Sequence, residues 1–195
     1  VRFPCVCIFK MTFEQDKQKQ LSKSDRSSIG SWDSKIKGLC EKINKNKKYY
    51  TTSSCAGRVV IIKALEEKAE DVFLFRTHDK ISFNELKKAL GVAGEKYKEL
   101  VEFQQTTCIL HVACESLKDA QEIVNKAKLA GWKRSGIMGG KRNMVELHST
   151  ESISFPIMNN GKVLVDDDFL KLIVKQANSK LERTWEKIQR LNQLI

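Results

Sequence analysis

A run of aromatic and hydroxyl residues followed by β-branched apolar residues constrains the fold of this chain more than any other stretch. In order it reads Tyr49, Tyr50, Thr51, Thr52, Ser53, Ser54, Cys55, Ala56, Gly57, Arg58, Val59, Val60, Ile61 and Ile62. Residue types of this kind favour strands, so residues 49–65 are predicted to form two strands or one long bent strand. Gly57 can adopt a positive φ and let a ligand approach the backbone. The stretch is interpreted either as a Ser/Thr-rich hairpin turn with Gly57 at its corner or as a polar binding site.

Helical and extended patterns alternate along the rest of the chain. Apolar residues at helical spacing, capping residues and turn signals predict helices over 13–23, 32–43, 82–90, 116–131 and 166–191. Strands are predicted near 72–76, 103–114, 132–138, 143–149 and 153–158. Gly91 and Gly94 are expected to end the third helix, and Asn160-Gly161 predicts a hairpin turn.

This order of elements predicts an α+β fold. We expect a single compact domain over residues 11–195, with a mixed or antiparallel sheet flanked by helices. Residues 1–10 are interpreted as an upstream extension. Two β-rich blocks each hold a Ser-Gly or Ser-x-x-Gly element, which is compatible with a divergent internal duplication. No Gly-x-Gly-x-x-Gly follows an early strand, so a Rossmann-type nucleotide site is not expected.

The charge of the chain favours a polyanionic partner. The formal net charge is +11, from 35 Lys and Arg against 24 Asp and Glu. Nucleic acid is the first candidate and an anionic membrane the second, whereas a merely solubilising surface explains charges of both signs better than a surplus of one. No apolar run approaches a transmembrane helix, and a cytoplasmic location is expected. The six cysteines lack zinc-site CxxC spacing and are expected to be reduced and mostly buried.

Two histidines and one glycine-rich loop are further candidates for chemistry. His78 lies in a polar turn after a strand, where it is either a proton shuttle near neutral pH or a solvated turn residue. His111 lies between two apolar residues of a strand, which is more typical of a hydrogen-bonded core histidine. The loop at residues 136–142 combines three glycines with Lys141 and Arg142. It is interpreted as an anion-binding loop or as a flexible basic hairpin.

Several segments fit the motifs of one family in the same order. The run Tyr50 to Arg58 has the form Tyr-Thr-Thr-Ser-Ser-Cys-Ala-Gly-Arg. Ahead of it, the pattern Asp-x-Ser-x-x-Gly-Ser-x-Asp is met by Asp25, Ser27, Gly30, Ser31 and Asp33. Later segments are Leu110-His111-Val112, Leu117 to Gln121, Gly131 to Ile137, Met144-Val145 and Ser149-Thr150. Over roughly residues 13–190 the chain resembles the tRNA wybutosine-synthesizing protein 3 family.

The resemblance implies a function. Members of this family are S-adenosylmethionine-dependent methyltransferases that modify the tricyclic purine beside the anticodon of phenylalanine tRNA, and they do not look like Rossmann-type methyltransferases. It therefore implies N-methylation of a wybutosine-type base, S-adenosylmethionine as cofactor, and tRNA with other wybutosine-pathway enzymes as partners. The alternative is a non-catalytic RNA-binding module, which explains the charge but not a polar pocket around residues 53–58.

The implied site residues fall into two groups. His78 or Asp25 would accept the proton that leaves the ring nitrogen. Substrate or cofactor contacts are assigned to Ser27, Ser53, Ser54, Gly57, Arg58, His111, Arg134, Ser135, Gly136 and Lys141, among which Ser53, Ser54 and Arg58 are expected to converge in one pocket. Cys55 is interpreted as a packing residue, because methyl transfer needs no covalent enzyme intermediate. No metal site is expected. His148 stands where many family members carry arginine, and Gln104-Gln105 where Glu-Pro is usual.

Overall fold

The helices of this computed structural model begin at well-defined caps. The structure describes residues 11–23, 33–64, 72–139 and 142–195. Within these ranges the helices are α1 (Phe13–Leu21), α2 (Ser34–Lys45), α3 (Phe83–Lys96), α4 (Leu117–Leu129) and α5 (Asp167–Leu194). A side chain accepts a hydrogen bond from the first turn of each helix, and the capping residues are Thr12, Asp33, Ser82, Ser116 and Asp166.

The strands of the described residues form two antiparallel sheets. They are β1 (Tyr49–Cys55), β2 (Arg58–Lys63), β3 (Phe73–Thr77), β4 (Val101–Thr106), β5 (Ile109–Cys114), β6 (Gly136–Ile137), β7 (Met144–His148), β8 (Ile153–Asn159) and β9 (Lys162–Val163). The first sheet has the order β1-β5-β7-β6, and the second has the order β3-β2-β4-β8-β9. Within each sheet, these neighbouring strands pair in antiparallel orientation.

Three long bent strands pass through both sheets and join them. β1 continues into β2, β4 into β5 and β7 into β8, each leaving one sheet to enter the other. We call these connections, residues 56–57, 107–108 and 149–152, the seam. Gly57 allows the first of them, because its φ is +93° and a Cβ there would lie 2.9 Å from the carbonyl oxygen of Thr106. The predicted long bent strand is confirmed, whereas a hairpin turn at Gly57 is wrong because β1 and β2 pair with different partners.

Two apolar cores share the helix α5. In the first sheet, Leu110 and Val145 pack with residues of α2 and α4. In the second sheet, Phe103 and Ile157 pack with residues of α3. The N-terminal half of α5 contributes to the second core and its C-terminal half, through Ile188, to the first. The face of the first sheet opposite α2 and α4 therefore carries the side chains that alternate with the core residues.

An acidic residue at the seam forms ion pairs with basic residues of α5. The Glu151 carboxylate is contacted by Lys187 Nζ at 2.7 Å, Arg183 Nε at 3.1 Å and Lys180 Nζ at 3.6 Å. Burial alone would raise the pKa of Glu151, but the hydrogen bonds from Lys187 and Arg183 outweigh burial and lower it. The three cations of α5 thus hold the connection between β7 and β8 in place.

Two boundary predictions are wrong. The helix after Ser82 does not end at Gly91 or Gly94 but runs to Lys96. Gly94 is needed for packing, because a Cβ there would lie 2.7 Å from the carbonyl oxygen of Gly161. The strand expected near 132–138 shortens to the two residues of β6. The hairpin at residues 160–161 is confirmed, with φ values of 48° and 74°.

The α+β class and the single compact domain are confirmed, and the fold is not a Rossmann type. Of the two predicted sheet types, mixed and antiparallel, the described residues form the antiparallel type. The internal duplication stays a prediction, and residues 1–10 lie outside the described residues. In the part of the chain that the structure describes, no helix has both the length and the apolar character that crossing a membrane requires.

Candidate active site

Asp33 joins the start of α2 to the seam. Its Oδ1 accepts a hydrogen bond from the Lys35 N–H at 3.1 Å, and its Oδ2 accepts one from the Ala56 N–H at 3.1 Å. The same Oδ2 lies 2.9 Å from His78 Nδ1. Burial alone would raise the pKa of Asp33, but the hydrogen bonds from His78, Lys35 and Ala56 outweigh burial and lower it. Asp33 is therefore a carboxylate at neutral pH.

His78 carries the positive charge that Asp33 faces. The hydrogen bond to Asp33, followed by the contact with Cys55, raises the pKa of His78 to about 9. Cys55 Sγ lies 4.0 Å from His78 Nδ1. The imidazole is therefore protonated at neutral pH, whereas a proton acceptor must be unprotonated when the substrate arrives. The acceptor role expected for His78 stays a prediction, and the raised pKa of its imidazole disfavours it.

The donor atoms of Asp33, Cys55 and His78 lie within 4.8 Å of one another, and these residue types can ligate metal ions. Ligand atoms around a tetrahedral zinc ion, with bonds of about 2.0–2.3 Å, stand about 3.3 Å apart or more. Asp33 Oδ2 and His78 Nδ1 are instead 2.9 Å apart, at hydrogen-bond distance. The arrangement therefore matches an ion pair with a neighbouring thiol.

A second polar group crosses three neighbouring strands of the first sheet. Ser53 Oγ on β1 lies 2.6 Å from His111 Nδ1 on β5. His111 Nε2 in turn lies 3.0 Å from Glu146 Oε2 on β7. The side chains of His111 and Glu146 are 25% and 38% exposed, and Ser53 is exposed. We call Ser53, His111 and Glu146 the polar row. His111 is thus partly exposed on the face opposite the core, so the prediction of a core histidine is wrong.

A β-bulge places Ser53 in this row. Thr51 pairs with Val112 and Ser53 with His111, so β1 has one extra residue at this point. Asn44 of α2 holds the bulge, because its Oδ1 accepts from the Thr51 N–H at 2.8 Å and its Nδ2 donates to Thr51 Oγ1 at 3.0 Å. The sequence of α2 therefore helps to decide which hydroxyl of the Ser/Thr run faces His111.

Other side chains extend the polar row into a surface. Ile109 and His148, paired across β5 and β7, lie beside the row on the seam side. On the other side, Tyr50 is covered by α1, where the Phe13 ring lies 5.2 Å from that of Tyr50. We call the partly exposed surface between these limits the open face, lined by the exposed Ser53 and the half-buried Ile109, His111, Glu146 and His148.

His148 is a neutral imidazole on the open face. Burial is the largest effect on its pKa and lowers it, and Arg134 and His111 lower it further, while Glu146 acts in the opposite sense. His148 therefore carries little charge at neutral pH. The open face accordingly has a hydrogen-bonded acid at Glu146 and two imidazoles close to it.

The predicted convergence of Ser53, Ser54 and Arg58 in one pocket is wrong. Ser54 is exposed, but it pairs with Leu110 and so lies on the opposite face of the sheet from Ser53 and His111. Arg58 lies in the second sheet, with its guanidinium carbon 5.1 Å from the centre of the Phe73 ring. Ser53 remains on the open face. The alternation of side chains along β1 and the passage across the seam separate the three.

Of the site residues predicted near β6, one is buried and bonded to the backbone and two are exposed. Ser135 is buried, and its hydroxyl donates to the Trp132 carbonyl at 2.6 Å and accepts from the His148 N–H at 3.1 Å. Gly136 pairs with Glu146 and has open space where a Cβ would lie. Arg134 is exposed. Three other predicted residues lie outside the described ranges, namely Asp25, Ser27 and Lys141.

The prediction of buried cysteines is confirmed for Cys40, Cys108 and Cys114. Burial raises the pKa of each of these thiols to about 12. They are therefore protonated and unreactive at neutral pH. Cys55 is half-buried beside His78.

The sequence reasoning missed two functional candidates. Asp33 was considered only as part of a motif, although an Asp directly before a helix with apolar spacing is typical of an N-cap. Glu146 is not among the predicted site residues, although Met144 to His148 alternate in polarity. That alternation places Glu146 and His148 on one face of a strand.

Comparisons with known proteins agree over nearly the whole chain. Residues 15–195 match the family described as Methyltransferase TYW3. A Thermococcus sibiricus protein named tRNA(Phe) 7-((3-amino-3-carboxypropyl)-4-demethylwyosine(37)-N(4))-methyltransferase is 34% identical over 193 residues, covering 96% of each chain. A tRNA wybutosine-synthesizing protein 3 homolog of Danio rerio is 33% identical and covers 94% of this chain and 74% of its own length. The structure of the PH1069 protein from Pyrococcus horikoshii OT3 has a TM-score of 0.82 at 31% identity, covering 95% of this chain and 94% of that chain.

Proposed function

The chain belongs to the methyltransferase TYW3 family, and on that premise we propose that it methylates N4 of a demethylwyosine-type base at position 37 of phenylalanine tRNA. The Thermococcus sibiricus relative is named for this reaction and aligns with 96% of this chain. A non-catalytic RNA-binding module is not favoured, because the family is one of methyltransferases. We place the reaction in the cytoplasm, as the sequence predicts.

The observation that carries this proposal is the open face of the first sheet. It presents a serine hydroxyl, two imidazoles and a carboxylate on a surface that α2 and α4 do not cover. Ile109 beside the polar row offers an apolar contact for a flat heteroaromatic base. A planar base lying there would meet hydrogen-bonding groups along one edge, which fixes its orientation for methyl transfer.

S-adenosylmethionine is the proposed methyl donor, and the side chains near the open face suit its polar groups. Arg134 is exposed beside His148, and a guanidinium there suits a carboxylate. The second carboxylate oxygen of Glu146 offers an acceptor for an ammonium or ribose hydroxyl group. When bound, the donor supplies a methyl group on a positively charged sulfur, so the protein needs no nucleophile of its own. Ser27 and Lys141 remain proposed contacts, and Asp25 remains the other proton acceptor that the resemblance implies.

Binding of the tRNA is proposed to involve the second sheet as well. Arg58 and Arg76 both approach the ring of Phe73, with guanidinium carbons at 5.1 and 5.2 Å from its centre, and that side chain is 42% exposed. In the described residues the Arg58 Nε has no hydrogen-bond partner although it is buried. Two guanidiniums beside an exposed aromatic ring suit phosphates and an unstacked base. The net charge of +11 supports the same partner.

Calorimetry and a methyl-transfer assay on the same preparation test the proposal. The purified protein is titrated with S-adenosylmethionine and is then incubated with tRNA that carries the tricyclic base without its N4 methyl group. We expect heat of binding and incorporation of a methyl group, with none into tRNA that lacks the tricyclic base. A protein that binds this tRNA but neither binds the donor nor transfers a methyl group is a binding module and contradicts the proposal.

A further inference from the structure

The hydrogen bonds of the polar row determine the neutral tautomer of His111. Glu146, as a carboxylate, only accepts hydrogen bonds, so the His111 Nε2 that lies 3.0 Å away must carry the ring proton. His111 Nδ1 is then unprotonated and accepts the hydroxyl proton of Ser53 at 2.6 Å. The row therefore runs in one direction, from the exposed Ser53 hydroxyl through a basic nitrogen to a carboxylate.

We propose that the polar row is the proton acceptor of the reaction, with His111 as the base, Ser53 as the group that touches the substrate and Glu146 as the residue that orients and balances His111. This inference rests on the proposed function. It assigns Glu146 a role, and it moves the acceptor from the ion pair at the seam to the open face. The three residues lie on adjacent strands, so their spacing is fixed by the pairing of β1, β5 and β7.

The atoms and charges of the step balance. A bond forms between the base nitrogen and the methyl carbon while the carbon–sulfur bond of the donor breaks, which leaves a neutral thioether. The proton on that nitrogen passes to Ser53 Oγ, and the Ser53 hydroxyl proton passes to His111 Nδ1. His111 becomes an imidazolium, whose charge is balanced by Glu146. After product release the proton leaves to solvent, which reaches His111 because its side chain is 25% exposed.

The neighbouring ionisable groups make other acceptors less suitable. His78 is engaged by the Asp33 carboxylate and already holds a proton. His148 lies on the same face, and no hydrogen bond joins its ring to a carboxylate or to an exposed hydroxyl among the described residues. Among the described residues, the charged group in contact with His111 is Glu146, which stabilises a proton on it. Within the ranges that the structure describes, only the polar row combines an exposed contact group with a paired base.

Single-turnover methyl transfer tests the proposal with variants of each member. His111→Ala should slow the reaction about 100-fold or more, which is the usual contribution of a positioned acid–base group. Added imidazole should restore part of that rate, because the alanine leaves space on an exposed face. Glu146→Gln keeps a hydrogen-bond acceptor but removes the charge, and it should slow the reaction about tenfold. The matched control is Glu186→Gln on α5, an exposed carboxylate paired with Arg190, which should leave the rate unchanged.

Two measurements separate a chemical role from a structural one. Binding of tRNA and of S-adenosylmethionine should stay within about twofold of wild type in His111→Ala. In the free protein, histidine ¹⁵N spectra should show the tautomer with the proton on Nε2 for His111, and Glu146→Gln should alter that signal. The proposal is overturned if His111→Ala transfers methyl at the wild-type rate, if imidazole restores nothing, or if the proton resides on Nδ1. A wild-type protein that transfers no methyl group would instead overturn the proposed function.

Discussion

Replacing Asp33 with asparagine removes the charge that His78 faces while keeping a residue that caps helices well. The Asp33–His78 pair holds the N-terminus of α2, the seam and the end of β3 together. Asp33→Asn therefore isolates the ion pair from the cap. The matched change on the other side is His78→Gln, and the double variant completes a cycle that yields the coupling energy of the pair.

The magnitude follows from the pKa of His78. A rise from 6.5 to about 9 corresponds to roughly 3 kcal/mol at about 1.4 kcal/mol per pKa unit. The side chain of His78 is 21% exposed, so solvent screens part of the interaction, and we expect a coupling of roughly 2 kcal/mol. Because the folded-state pKa lies above the unfolded value, this stability is fully present below pH 6.5 and is lost as the pH rises through about 9.

The lowered pKa of Asp33 acts at the other end of the pH range. Its stabilisation is present above 3.8, the ordinary pKa of aspartate, and is lost as the pH falls through the lower folded-state value. Urea unfolding of the four proteins at about pH 6 and about pH 10 measures both the coupling and its loss. We expect a coupling of roughly 2 kcal/mol at the lower pH and almost none at the higher pH. Equal pH dependence in wild type and His78→Gln would refute the reasoning.

Four further outcomes follow from the structure. The affinity for tRNA, measured by filter binding, should fall by about 10³ or more between low and physiological salt, and a salt-independent affinity would contradict a phosphate-contacting surface. Arg58→Lys keeps the charge but loses the planar group that lies against an exposed phenylalanine. It should therefore lower tRNA affinity about tenfold, and Arg58→Ala should have the same effect. Lys175→Ala, on the exposed side of α5, should change the affinity little. Cys55→Ser should keep most methyl-transfer activity, and complete loss in a folded protein would point to covalent catalysis. Gly136→Val should change the free energy of unfolding by no more than about 0.5 kcal/mol, because open space surrounds its Cβ position, yet it should slow methyl transfer by covering part of the open face. An unchanged rate in that variant would show that substrate does not lie there.

The local features of the fold could be predicted from the sequence because nearby residues determine them. Ser116 before an apolar helical pattern predicts the start of α4, and Asn160-Gly161 predicts the turn between β8 and β9. For residues 49–65 the sequence predicts strands but leaves two forms open, a hairpin with its turn at Gly57 or a long bent strand. Which of its two forms occurs depends on the pairing of β1 with β5 and of β2 with β4, whose partner residues lie 38 to 65 positions apart along the chain. Local patterns contain little information about such long-range pairing.

The sequence indicates several residues of the candidate site but not which of them contact one another. The family motifs assign contacts to both Ser53 and His111, but the contact between the two depends on a bulge that Asn44 of α2 stabilises. Ser54 differs from Ser53 by one position and lies on the other face of the sheet, which composition alone does not show. The sequence does not indicate the partner of His78, because Asp33 lies 45 residues away and caps α2.

The central claim is tested most directly by nucleoside mass spectrometry of phenylalanine tRNA carrying the tricyclic base without its N4 methyl group. The tRNA is incubated with the protein and with S-adenosylmethionine whose methyl group carries deuterium. The account predicts that the tricyclic nucleoside gains one deuterated methyl group and that fragmentation locates it on the base. No label on that nucleoside, or label only on other nucleosides of the tRNA, would contradict the account.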